Sequence, residues 1–247
     1  MLDRIKIVLI ETSHTGNIGS AARAMKTMGL HHLCLVAPKI LPDQQAMALS
    51  AGATDVVEQA EIVGSFEEAI ADCTLVIGTS ARSRHFQTTQ IEPRSCGERV
   101  VEQANIGGKV AVVFGRERVG LTNDELLKCH YHLNIPANPE YSSLNLAMAV
   151  QLVSYEIRMA WLSWQRSSQK MATITPDPIV STEQLPPNQK ELEYFFHQTE
   201  QLYTELGFIQ NPVVMQKLRQ LYLRQHLRKN ELNILLGMLT AVKQKIR

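Results

Sequence analysis

The chain has 247 residues, 45% of them hydrophobic and 20% charged, with a formal net charge of +1. That balance excludes a disordered chain, and no apolar run approaches the roughly 20 residues that span a bilayer, so a soluble globular protein is expected. The charge is uneven: residues 1–167 hold 15 Lys and Arg against 17 Asp and Glu, and residues 168–247 hold 10 against 7.

The first two-thirds alternates strand-like and helix-like patterns. Ile5 to Ile10 is a short β-branched run that reads as a buried strand. Its apolar part, Ile7 to Ile10, is too short for a secretory signal, which points to the cytoplasm. A helix is expected from Ile18 to Met28 with Gly29 closing it, then a strand at His32–Val36 and a helix at Asp43–Ser50. Ser65, with Glu68 three residues on, resembles a capping box for a helix to about Cys73. Strands follow at Thr74–Gly78, Val110–Phe114 and Tyr131–Ile135, separated by a helix at Pro93–Ala104. A long helix should start at Ser142 or Ser143 and run to about Trp164, because Leu146, Ala149, Val150, Val153, Ile157, Ala160 and Trp161 recur at helical spacing.

Strands alternating with helices predict an α/β fold, a mostly parallel sheet with helices on both faces. Ligands of such sheets sit beyond the carboxyl ends of the strands. The pattern predicts a domain over 1–166, a Ser/Thr/Pro-rich linker over 167–188 and a small helical C-terminal extension over 189–247, with helices at Gln189–Leu206, Val213–Leu227 and Asn230–Lys245. Met215 to Asn230 carries Lys217, Arg219, Arg224, Arg228 and Lys229 and no acid, which suits either nucleic acid or a solvated helix face.

Four segments could carry chemistry. Asn17, Gly19 and Arg23 open a helix, where backbone N–H groups favour an anion, and His14 lies in the loop before them. Gly78-Thr-Ser-Ala-Arg82-x-Arg84 follows a strand end with small residues for a flat ligand and two cations for phosphate. Gly115-Arg116-Glu117-Arg118-Val119-Gly120 sets three charges between glycines after a buried strand. Ile135-Pro-Ala-Asn-Pro-Glu-Tyr-Ser142-Ser143-Leu144-Asn145 is a proline turn opening a helix. Taken singly, three of the four have a plainer reading: capping by Asn17, an exposed basic turn at 82–84, N-capping by Ser142 or Ser143. Phosphate-loop, G-x-G-x-x-G and G-x-S-x-G patterns are absent. Cys34, Cys73, Cys96 and Cys129 are scattered, and alternation along a strand sends His130 and His132 to the face opposite Cys129, so no metal is expected.

Together, ETSHTGNIGSAARAMKTMGL, GTSARSR, VFGRERVGLTN and IPANPEYSSLNLAMAV resemble the SPOUT class of RNA methyltransferases, and within it the TrmJ-type tRNA (cytidine/uridine-2′-O)-methyltransferases. The resemblance covers residues 1–165. It implies a trefoil-knotted sheet, a homodimer with each site near the subunit interface, and S-adenosylmethionine bound in the knotted loops. By position, Thr79, Ser80, Ala81, Gly115, Ile135, Ser142, Ser143 and Leu144 would contact that cofactor. Arg23 would take the central catalytic role, with Asn17, Glu117, Ser142 and Asn145 around the reacting ribose. His14, Arg82, Arg84, Arg116 and the five C-terminal cations would face tRNA, with nucleotide 32 of the anticodon loop the implied target. A guanidinium is effectively always protonated, so Arg23 is either unusually perturbed or a stabiliser of the developing alkoxide. Another tRNA site or ribosomal RNA, a non-catalytic RNA-binding protein and a small-molecule α/β enzyme stay open as alternatives.

Overall fold

Strand β1 (Ile5–Ile10) lies at the centre, and its side chains alternate: Ile5, Ile7 and Leu9 enter one apolar layer, Val8 and Ile10 the other. Lys6 falls on the second face and is held by Glu61 at 3.0 Å and Asp72 at 3.8 Å. The computed structural model describes residues 1–80, 89–171 and 184–246. β2 (His32–Val36) and β6 (Val110–Phe114) flank β1, both parallel to it. With β3 (Glu61–Val63), β4 (Leu75–Thr79), β5 (Gln90–Ile91) and β7 (Tyr131–Leu133), the seven strands run in the order β3-β2-β1-β6-β4-β7-β5, and every pairing is parallel. The later strand β7 thus sits between β4 and β5, which precede it in the chain.

Helices cover both faces, as the alternation predicts. α1 (Thr15–Thr27), α5 (Pro93–Asn105) and α7 (Leu146–Met171) bury Ile18, Met25, Val100, Val150 and Ile157 against the first layer. α2 (Gln44–Ser50) and α3 (Thr54–Glu58) pack beside α1. α4 (Phe66–Ile70) and α6 (Asn123–Leu127) supply Phe66, Ile70 and Leu126 to the second. Burying a side chain of this size contributes about 1.5–3 kcal/mol. The edge strands β3 and β5 and the single-turn helices α3 and α6 are too short to leave a periodic signal. At α4 the Ser65 side chain accepts from the Glu68 N–H, but Glu68 answers at the Gly64 N–H (3.0 Å), one residue earlier than a capping box requires.

The C-terminal unit is three helices, α8 (Gln189–Glu205), α9 (Pro212–Arg224) and α10 (Lys229–Ile246), around Phe195, Phe196, Leu202, Met215 and Leu239. A reciprocal cap between Asn188 and Glu191 starts α8, and Asn211 followed by Pro212 starts α9. This unit docks on the sheet domain. Gln189 and Lys190 donate their backbone N–H groups to Cys73 (2.9 Å) and Ala71 (3.1 Å). Arg99 donates to the Tyr131 hydroxyl at 2.9 Å, which lies 2.7 Å from His226 Nε2 after α9. Among the described residues no helix is long and apolar enough to cross a membrane. All four cysteines are buried and unpaired, and burial pushes the Cys34, Cys73 and Cys96 thiols up to about 12.

Candidate active site

A parallel sheet gathers the loops after β1, β4, β6 and β7 at one edge. The loop after β6 carries Glu117, whose carboxylate accepts the Ser13 backbone N–H (3.2 and 3.3 Å), the Ser13 hydroxyl (3.1 Å) and the Asn17 side-chain amide (3.1 Å). Asn17 in turn accepts from Asn145 Nδ2 at 3.0 Å. Asn145 Oδ1 accepts the N–H groups of Ala147 (2.9 Å) and Met148 (3.4 Å), so its amide oxygen caps α7 and only its NH₂ is left to face Asn17. One bridge, Asn145 to Asn17 to Glu117, therefore ties together the segments that follow β7, β1 and β6. Burial works against the charge of Glu117, yet hydrogen bonds from its own backbone N–H, Asn17 and Ser13 outweigh it and hold the carboxyl below its ordinary range.

Two capping assignments change. α1 begins at Thr15 after His14, which places Asn17 inside its first turn, with its side chain on Glu117 rather than on the helix terminus. α7 begins at Leu146, capped by Asn145, so Ser142 and Ser143 are not caps. Gly19 does permit a close approach, but of protein: a Cβ there would stand 2.0 Å from the Ala46 carbonyl oxygen of α2.

A cavity of about 270 Å³ opens beside the bridge, at the small end of ligand pockets. Of the residues expected to hold a cofactor, Thr79, Ser80, Ile135, Ser142, Ser143 and Leu144 line it. Gly115 does not. A Cβ on it would lie 2.2 Å from the Gly120 carbonyl carbon and 2.3 Å from the Leu121 nitrogen, so it lets the loop fold back on itself. Ala81, Arg82 and Arg84 lie outside the described residues. Leu133 and Val119 also line the cavity and were not expected; the end of a strand was the available signal for Leu133, and the glycine-bracketed loop after β6 for Val119. Asn134 was missed too, and it fixes the floor by donating to the Ser80 carbonyl at 3.1 Å.

Arg116 has a structural partner set. Its guanidinium forks onto Glu125 (3.0 Å twice) and reaches Glu11, which Lys39 also holds. With its side chain only 20% exposed and two carboxylates on it, Arg116 clamps the loop rather than presenting a free cation to RNA. Arg116 first and Lys39 second hold the Glu11 carboxyl down at about 2. Arg23 is exposed in a shallow groove with Ser20, Thr27, Asn145, Met148 and Gln151 and does not itself line the cavity, although Asn145 sits between Leu144 and Leu146, which do. Among the described residues its guanidinium has no hydrogen-bonding or ionic partner. His14 is exposed before α1. In the helical unit Lys217, Arg224 and Arg228 are exposed, whereas Arg219 is paired with Glu193 (2.9 Å) over the Phe196 ring, and Lys229 with Glu191 (2.9 Å). His130 accepts the Val76 N–H at 3.1 Å and His132 Nε2 lies 3.0 Å from the Leu126 carbonyl, each serving the fold.

The SpoU rRNA Methylase family model matches residues 4–155, spanning every loop of this site. The chain belongs to that methylase family. The model for the C-terminal domain of the tRNA methyltransferase TrmJ matches residues 190–247, the three-helix unit. A Haemophilus influenzae relative described as an uncharacterized tRNA/rRNA methyltransferase is 63% identical, covering 100% of this chain and 97% of its own. The tRNA (cytidine/uridine-2′-O-)-methyltransferase TrmJ of Photorhabdus laumondii is 54% identical over 99% of this chain and 98% of its own. Among solved structures, TrmJ from Z. mobilis superposes with a TM-score of 0.80 at 31% identity, covering 96% of this chain and 98% of that one. The family match makes the protein a methyltransferase, and the Glu117 bridge with the adjoining cavity is its candidate site.

Proposed function

We propose that the protein transfers a methyl group from S-adenosylmethionine to the ribose 2′-hydroxyl of a tRNA cytidine or uridine, at nucleotide 32 of the anticodon loop. The observation that carries this reading is the Asn145–Asn17–Glu117 bridge, whose Glu117 lines the cavity, in a chain that matches TrmJ relatives end to end. The cavity suits the cofactor: Leu133, Ile135, Leu144 and Leu146 offer an apolar seat for adenine, and Thr79, Ser80, Ser142 and Ser143 offer polar groups at its edge. The cofactor supplies an electrophilic methyl carbon on a sulfonium. The protein's part is to align the hydroxyl and to ease loss of its proton. Asn145 and Asn17 fix the ribose side of the site, Glu117 orients Asn17, and Arg23 stabilises the developing alkoxide.

Two features support a homodimer. Arg23 is exposed and lies off the cavity, so it serves the chemistry of a site completed by a second copy. Met148, Leu152, Tyr155 and Met159 form an exposed apolar stripe along α7, beside that groove. The insertion of β7 between β4 and β5 supports a knotted crossing. Lys217, Arg224 and Arg228 supply phosphate contacts that weaken with salt. We assign the domain to 1–166 and the tRNA-binding unit to 189–247, working in the cytoplasm, where tRNA is modified. Mapping ribose methylation in tRNA from cells lacking the protein tests the assignment. Loss of one 2′-O-methyl group, restored by the purified enzyme with S-adenosylmethionine, is expected; an unchanged tRNA map rules it out.

A further inference from the structure

Among the described residues the two most exposed large apolar side chains are Tyr141, 81% exposed, and Val119, 67% exposed. They sit on the two loops that wall the cavity: Val119 lines it, and Tyr141 directly precedes Ser142, Ser143 and Leu144, which also line it. Single exposed apolar residues are ordinary on a protein surface. The two largest exposures falling on two loops that wall one cavity are not explained that way. Tyr141 is also held in place. Its N–H donates to the Asn138 carbonyl at 2.9 Å, and the Glu140 N–H to Asn138 Oδ1 at 3.1 Å, so a fixed turn presents the ring to solvent. Arg118, next to Val119, is exposed, lines the cavity and has no partner among the described residues, in contrast to the clamped Arg116. Glu140 is exposed beside Tyr141 and disfavours a phosphate there. The rim thus offers a flat aromatic face on one loop and a free cation on the other, the two contacts a nucleotide requires.

We propose that Tyr141 is the stacking platform for the nucleobase of the nucleotide being methylated, with Arg118 taking an adjoining phosphate and Val119 flanking the base. This rests on the reading of the cavity as a methyl-donor site beside an RNA strand. A 2′-hydroxyl in a loop reaches such a cavity only if its nucleotide is splayed out, and unstacked bases of single-stranded RNA are characteristically received on aromatic rings. Stacking tolerates either pyrimidine, because every base has a π-face.

The test pairs Tyr141→Ala and Tyr141→Phe with two RNAs: an unmodified tRNA transcript, and the same transcript with an abasic ribose at the mapped target nucleotide. On the normal transcript Tyr141→Ala should lose roughly 10- to 100-fold in kcat/KM, the range for one base–aromatic stack. Tyr141→Phe should stay within a few-fold of wild type, and calorimetric binding of S-adenosylmethionine should be unchanged in both. Wild type should suffer a similar loss on the abasic transcript, and Tyr141→Ala should suffer little further. An abasic penalty as large in Tyr141→Ala as in wild type would overturn the proposal, because ring and base would then act independently. Equal weakness of Tyr141→Phe and Tyr141→Ala would overturn it by assigning the hydroxyl. A change of sedimentation state in Tyr141→Ala would overturn it by assigning the ring to contact between copies. A wild-type protein that methylates no tRNA would overturn the tRNA reading on which the proposal rests.

Discussion

Asn145 serves two structures with one amide, and the two can be separated. Asn145→Ala removes the cap of α7 and the link to Asn17, so it should destabilise the fold by about 1 kcal/mol and also depress turnover. Asn145→Asp keeps the capping oxygen but sets a carboxylate against Asn17 Oδ1. Thermal melts should then be near wild type while single-turnover methylation falls steeply; equal loss of stability and rate in both variants would assign Asn145 to the fold alone. Arg23 lies off the cavity walls, so Arg23→Ala and Arg23→Lys should bind S-adenosylmethionine almost normally. Single-turnover methylation of saturating tRNA should fall by orders of magnitude, and near-normal rates would remove Arg23 from the chemistry. That Asn17, Glu117 and Asn145 come together was legible in the sequence because they stand in distinctive segments after β1, β6 and β7, whose following residues a parallel sheet gathers at one edge. The Arg116 clamp was not, since its partners Glu11 and Glu125 are placed by the sheet and by the turn of α6, and a lone arginine in a loop gives no hint of two carboxylates.

The glycine-bearing loop after β6 is the element on which the cavity depends. Gly115→Ala places a methyl group against backbone atoms of Gly120 and Leu121, which cannot move aside as a side-chain end would. The expected outcome is a native far-UV spectrum with S-adenosylmethionine affinity reduced at least tenfold by calorimetry; unchanged affinity would show that the loop fold-back is dispensable. The long elements could be read from periodicity: β1, β2, β6, α5 and the body of α7 fall where the pattern puts them. Boundaries shifted where side-chain capping decided them. Ser142 and Ser143 are good capping residues by type, but Asn145 holds the cap, and the freed serines line the cavity.

The docking of the helical unit on the sheet domain is a long-range contact that no local pattern encodes. Arg99 donates to Tyr131, which leaves the hydroxyl proton for His226 Nε2, so the arrangement requires neutral His226. Burial and then the Arg99 charge lower the His226 pKa; Glu102 opposes this, and His130, Tyr131 and Tyr222 complete the pocket wall. Burial, then His226, lowers His130 to about 4. Folded-state values below the ordinary histidine value mean stability that is full above about pH 6.5 and is lost as pH falls toward 4. Melting temperature should decline across that window, and more shallowly in His226→Gln, which keeps an acceptor without a titration; parallel declines would exclude His226.

The place of β7 in the sheet has a consequence for how the chain reaches its native state. Its slot lies between strands that are both synthesised before it, so those strands cannot close on each other first without shutting it out. The order of assembly is thereby constrained: β1 and β2, near in sequence, can pair early, while the β4–β7–β5 side of the sheet must wait for residues 131–133. Contacts so distant along the chain carry a loop-closure penalty before they are rewarded, which makes refolding slow relative to proteins of similar stability with local contacts. The cavity wall built on the end of β7 therefore forms only once β7 has entered its slot, and a chain that has paired its earlier strands still lacks a complete cavity.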